Sequence, residues 1–126
     1  MHNAFLLGNK KELRPFLDAL DGIDLGAATR PKKPILEHPT MSYLSEVTKK
    51  AFDPRFARAA RDLDWSQVYA GGGLDPALAE GMLAAQFVGT YGRYSSLKVA
   101  AGLFLLAPNV HYPLHTHEAA EVYLCV

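Results

Sequence analysis

His111-Tyr112-Pro113-Leu114-His115-Thr116-His117-Glu118-Ala119-Ala120-Glu121-Val122-Tyr123 holds three of the chain's five histidines within seven residues, followed by a glutamate and a tyrosine. In an extended segment, residues two apart point to the same face, so His115 and His117 can present their imidazoles to one point. Glu121 follows a tight turn around Glu118 to Ala120 and can bring a carboxylate oxygen to that point from the neighbouring strand. The resulting N,N,O set suits zinc, iron, manganese or nickel and keeps open positions. Tyr123, two residues beyond Glu121, shares its face, which puts a phenol close to a bound metal. An ordinary phenol, with a pKa of about 10, is too weak a base at neutral pH, but a nearby cation favours the phenolate. Taken singly, each residue has a plainer reading. A lone His-x-His is more often a surface pair, Glu121 a solvated strand residue and Tyr123 a packed aromatic. It is the combination that points to a metal site, with no Lys or Arg from Ala100 onward to repel a cation. His111 and Tyr112 fit a structural role and a substrate contact equally well.

Outward from this stretch, the preceding residues read as extended chain. Leu97, Val99 and Ala101 alternate with smaller or polar residues, and Leu103 to Leu106 reads as a buried apolar run, so a strand is expected from Leu97 to Ala107. Pro108-Asn109 is a turn, a second extended piece carries His111 to His117, and a third strand is expected from Glu121 to Val126. The apolar Tyr123-Leu124-Cys125-Val126 leaves a sheet edge to be covered by the helices, by another chain or by the rest of a longer product.

The first part of the chain reads as helices. Asn9 can cap Lys10 to Leu20, with Leu13, Phe16, Leu17 and Leu20 as its apolar side and Gly22 as its stop. Gly26 to Thr40, with Pro31, Pro34 and Pro39, is expected to be a surface loop. A second helix capped by Ser42 or Ser45 breaks at Asp53-Pro54 and resumes from Arg55 to Leu63, with Leu63 and Trp65 as its buried end. Gly71-Gly72-Gly73 reads as a hinge. Asp75 with Pro76 opens a further helix expected to run to about Val88, with Leu78, Met82, Leu83 and Phe87 as its stripe. The fold class is therefore α+β, a helical region over 1–96 followed by the opening strands of a sheet over 97–126.

Composition narrows the function. With 126 residues, 49% of them hydrophobic, the chain is one domain's worth and can bury a core. Thirteen basic and thirteen acidic side chains balance, which disfavours nucleic acid or an anionic membrane as partner. The longest apolar run, Val99 to Val110, contains Pro108 and is far short of the roughly 20 residues needed to cross a bilayer. No signal-peptide pattern opens the chain, so a cytoplasmic protein is expected. The single cysteine, Cys125, excludes an internal disulfide and reads as a small buried hydrophobe.

His115-x-His117-x-x-x-Glu121 resembles the first motif of the cupin superfamily, in which two histidines and a glutamate on adjacent strands of a small barrel bind a divalent metal. The longer string from Tyr112 to Tyr123 resembles the metal-dependent dimethylsulfoniopropionate (DMSP) lyases, cupins that cleave this osmolyte to dimethyl sulfide and acrylate. The resemblance implies a cupin-type, jelly-roll-like β-barrel, incomplete in this chain, which does not contain the second cupin motif with its additional histidine. It implies that His117 and Glu121 bind the metal, with His115 a third ligand or a neighbour that holds substrate. It further implies Tyr123 as the base and Tyr112 as a wall of the substrate pocket. Where cupins have a glycine ahead of the first histidine this chain has Asn109, in a turn that can serve the same purpose. The expected substrate is a small sulfonium carboxylate, whose fixed positive charge an aromatic face such as Tyr112 can attract. Self-association through the open sheet edge is a further expectation. Two alternatives stand beside the lyase: another metal-dependent cupin enzyme, such as a dioxygenase or isomerase, and a non-catalytic fragment completed by a partner chain.

Overall fold

The computed structural model describes residues 10–126 apart from 27, 29, 35, 52, 69–72, 74, 114–117, 119 and 124–126. Within these, the elements in chain order are α1 (Lys10–Asp21), α2 (Met41–Ala51), α3 (Pro54–Arg61), β1 (Trp65–Ser66), α4 (Pro76–Gly81), β2 (Met82–Val88) and β3 (Ala101–Leu106). The fold is α+β. Its strands form one open antiparallel sheet in the order β1-β2-β3.

Helix boundaries follow local chemistry. Asp53 caps α3 through the Arg55 amide and Asp75 caps α4 through the Ala77 amide, each with proline in the first turn, where a missing N–H costs nothing. Helix α1 ends before Gly22, as expected; Asn9 lies outside the described residues. Ser42 sits inside the first turn of α2, its hydroxyl bonded to the Pro39 carbonyl. The expected surface loop from Gly26 to Thr40 has neither helix nor strand among its described residues, yet it is anchored inward. Leu36 packs against the core, and Thr40 is buried with its hydroxyl donating to the Glu80 carbonyl.

Three expectations about extended structure are corrected. The helix expected to run to about Val88 stops at Gly81, and Met82 to Val88 is a strand paired on both sides. Met82, Leu83, Ala85 and Val88 are all buried, so this strand lacks the simple alternation that would have marked it, and its apolar spacing also suits a helix. The strand expected from Leu97 is shorter, since residues 97–100 belong to the β2–β3 connection and Leu97 is 93% exposed. Residues 121–123 carry no strand pairing, while 124–126 lie outside the described residues. Of the three strands among the described residues, two precede residue 97, so sheet formation starts well ahead of the region where it was expected.

The core lies between the sheet and helices α2 and α3. Leu44, Ala60, Trp65, Leu83, Ala85 and Leu105 form its buried cluster, with Met41, Tyr43, Leu63 and Leu103 packed against it. Trp65 buries its ring and still satisfies its indole N–H, which donates to the Ala60 carbonyl at 2.8 Å. Asp64 joins two loops: its Oδ1 accepts from the Lys33 amide at 3.0 Å and from the Arg93 guanidinium at 3.4 Å.

Alternation along β3 gives the sheet a second face. Leu103 and Leu105 point to the helices, whereas Gly102, Phe104 and Leu106 point away and are exposed. Across the ladder these three meet Gln86, Ala84 and Met82 respectively. After β3 the chain reverses at Pro108-Asn109, where the Val110 amide donates to the Ala107 carbonyl and Asn109 takes a φ of 62°. Proline followed by a positive φ is the pattern of a type II turn. The Pro108-Asn109 turn is thus where the sequence placed it.

Candidate active site

The turn after β3 decides where the chemically loaded segment goes. It folds the chain back so that the ring of Tyr112 lies 6.4 Å, centroid to centroid, from Phe104 on the helix-free face of the sheet. Tyr123, arriving later in the chain, sets its ring 5.9 Å from the same phenylalanine. Both pairs are tilted, by 33° and 34°. Such pairs contribute about 0.5–1.5 kcal/mol each beyond the area they bury. The two tyrosines singled out in the sequence are therefore brought to one ring.

The Tyr123 hydroxyl donates to Oε2 of Glu121 at 2.8 Å. The two residues are two apart in a segment without regular secondary structure, so an extended local backbone alone puts both side chains on one side. Glu121 and Tyr123 are exposed, Tyr123 by 43%.

His115 and His117 lie outside the described residues, as do Leu114 and Thr116. Among the described residues no group of three or more His, Cys, Asp or Glu side chains is placed to hold a metal. On the chemistry of the donor set, the residues fit one. A carboxylate has about four lone-pair sites, so the bond from Tyr123 is compatible with ligation by Glu121. His115 and His117 precede it closely in a stretch without cationic side chains. His111 is exposed and Tyr112 half-buried.

Phe104 is the residue that sequence reading missed. It lies in the apolar run Leu103 to Leu106, which reads as core, yet its side chain is 49% exposed. The available signal was alternation: Gly102, Phe104 and Leu106 share a face opposite to Leu103 and Leu105. Elsewhere, a shallow cavity of about 160 Å³ in the β2–β3 connection is lined by Thr90, Ser96, Leu97, Lys98, Val99 and Ala100, and none of the candidate residues borders it.

No helix among the described residues is long and apolar enough to cross a membrane. Comparison with curated proteins and with solved structures gives no match. Comparison with protein families does: the family described as dimethylsulfoniopropionate lyase matches residues 15–126, from the first helix through the Tyr112–Tyr123 segment. With the match extending over most of its length, the chain belongs to the DMSP lyase family.

Proposed function

We propose that this protein is a metal-dependent DMSP lyase of cupin type, with Tyr123 as the base of a β-elimination. The observation that carries the reading is the Tyr123 hydroxyl held 2.8 Å from the Glu121 carboxylate, within a chain of the DMSP lyase family.

In the reaction proposed, the Tyr123 oxygen, as phenolate, takes a proton from the carbon next to the substrate carboxylate. The electron pair of that C–H bond forms the carbon–carbon double bond of acrylate. The carbon–sulfur bond breaks, and its electron pair leaves with sulfur as neutral dimethyl sulfide. The abstracted proton rests on the Tyr123 oxygen and passes from this exposed side chain to solvent. His117 and Glu121, with His115 as third ligand or as a substrate contact, would hold a divalent zinc, iron, manganese or nickel ion. Such an ion, when bound, supplies Lewis-acid stabilisation of the negative charge that develops on the substrate carboxylate. Tyr112 offers an aromatic face to the sulfonium, an attraction of about 0.5–2 kcal/mol.

The cupin barrel, a cytoplasmic location and association with a second copy belong to the same proposal. Support for association is that β3 ends the sheet among the described residues and has a hydrogen-bonded neighbour on one side only.

The test is dimethyl sulfide and acrylate release from DMSP by the chain loaded in turn with each of the four metals. Release in equal amounts is expected, and Tyr123→Phe should lower the rate by about a hundredfold or more. Undiminished release by Tyr123→Phe would overturn the assignment of the base, and no release with any metal would overturn the lyase.

A further inference from the structure

We propose that Phe104 is a positioning residue for the tyrosine pair, its ring fixing where the Tyr123 phenol stands relative to Glu121. This inference rests on the lyase reading above and assigns a residue that neither the motif nor the resemblance includes.

Three observations lead to it. First, Phe104 is the shared partner of both tyrosines, with ring centroids 5.9 Å from Tyr123 and 6.4 Å from Tyr112. Second, Phe104 is the one of the three rings that stands on a strand. Phe104 stands on β3, whose backbone is held by the ladder to β2, with Ala84 directly opposite. Tyr112 and Tyr123 are themselves in neither helix nor strand, and each sets its ring against Phe104. Third, Phe104 is a poor core residue. It faces away from the helices and remains 49% exposed despite both ring contacts, so burial in the main core does not account for it.

The local sequence favours such a platform. Ala84 across the ladder and Gly102 two residues earlier on the same face are both small, which leaves the surface beside Phe104 open to rings from elsewhere in the chain. Gly102 cannot be enlarged cheaply, because a Cβ there would meet the Ala85 carbonyl oxygen. Phe104 thus has a small residue beside it at Gly102 and another across the ladder at Ala84, and Tyr123 packs against it while hydrogen-bonding to Glu121. A base must be oriented as well as present, and a displacement of about 1 Å can cost a hundredfold in rate.

The experiment compares Phe104→Leu and Phe104→Tyr with the unaltered chain, with two readouts. The first, independent of metal and activity, is fluorine NMR of protein grown on 3-fluorotyrosine, with the Tyr112 and Tyr123 signals assigned from Tyr112→Phe and Tyr123→Phe. Loss of the ring in Phe104→Leu should move those two signals and leave the other four of the six tyrosines in place. The second is the steady-state lyase rate of the metal-loaded protein. Phe104→Leu is expected to lower kcat by about ten- to a hundredfold with KM nearly unchanged, and Phe104→Tyr, which keeps a ring, is expected to restore it. If the two signals stay put, or if kcat is unchanged, or if the loss falls on KM alone, the positioning role is overturned. Absence of lyase activity in the unaltered chain is a different result, since it overturns the proposed function itself and removes the reaction for which Phe104 positions the base.

Discussion

Ala84 stands directly across the β2–β3 ladder from Phe104, on the sheet face turned away from the helices. Cross-strand neighbours have Cβ atoms about 4.5–5.5 Å apart, so the size of residue 84 sets how much room the aromatic group has. A methyl group there leaves the Phe104 ring free to serve Tyr112 and Tyr123. Ala84→Leu is expected to crowd that ring and lower dimethyl sulfide release by about tenfold, while the urea midpoint moves little because the helix-facing core is untouched. A matched fall in stability and activity would instead make the effect one of unfolding.

The two faces of the sheet should answer differently to truncation. Leu83 is fully buried on the helix side, whereas Leu106 on the other face is 39% exposed. Leu83→Ala is expected to cost about 2–5 kcal/mol through lost burial and the cavity left behind. Leu106→Ala removes less buried surface and should cost under about 1 kcal/mol. Urea titrations of both variants read the difference directly, and equal losses would mean that the outer face is as well packed as the inner one.

What the sequence disclosed depended on whether the signal was local. The break at Asp53-Pro54, the cap at Asp75-Pro76, the stop at Gly22 and the turn at Pro108-Asn109 are short-range chemistry, and each holds in the structure. Strand β2 was hidden because its buried residues Met82, Leu83, Ala85 and Val88 do not alternate, so Leu78, Met82, Leu83 and Phe87 look like one helix stripe until β1 and β3 are seen beside it. At the site, the pairing of Tyr123 with Glu121 was legible from their spacing. The contribution of Phe104 was not, since it depends on two distant segments folding onto one ring.

Asn109 offers a test of the turn that delivers Tyr112. Its φ of 62° is the left-handed conformation, which asparagine and glycine tolerate and which crowds the Cβ of other residues. Asn109→Gly is therefore expected to fold with nearly unchanged stability. Asn109→Val, with a branched Cβ, should lose about 1–2 kcal/mol and weaken the delivery of Tyr112 to Phe104. Thermal unfolding of the pair decides the matter, and a valine variant as stable as the glycine one would show that the turn is not held in this conformation.

Glu121 should matter to metal and to proton separately. Glu121→Gln keeps an oxygen that can accept the Tyr123 hydroxyl but removes the charge a divalent ion requires. Loss of an outer-sphere partner already costs metal sites about 10–100-fold in affinity, so replacing a ligand should cost at least that. Metal content after dialysis against a weak chelator is the measurement. Retention equal to the unaltered chain would remove Glu121 from the ligand set without touching its bond to Tyr123.

Acid should loosen α3 through Asp53. The Arg55 guanidinium, at 3.1 and 3.2 Å from the two carboxylate oxygens, and then the Arg55 amide at 2.7 Å hold this carboxyl below its usual value. Because the folded-state pKa is the lower one, the folded state binds fewer protons than the unfolded chain in the window between the two values. The stabilisation is therefore fully present above the ordinary aspartate pKa of about 3.9 and is lost as pH falls through the depressed folded value. Asp53 is exposed, so added salt should shrink the effect. Asp53→Asn keeps a capping oxygen and removes the titration. Urea midpoints measured across this acid range should thus fall less steeply for Asp53→Asn than for the unaltered chain, and superimposable profiles would mean that the Arg55 contacts do not couple the charge of Asp53 to folding.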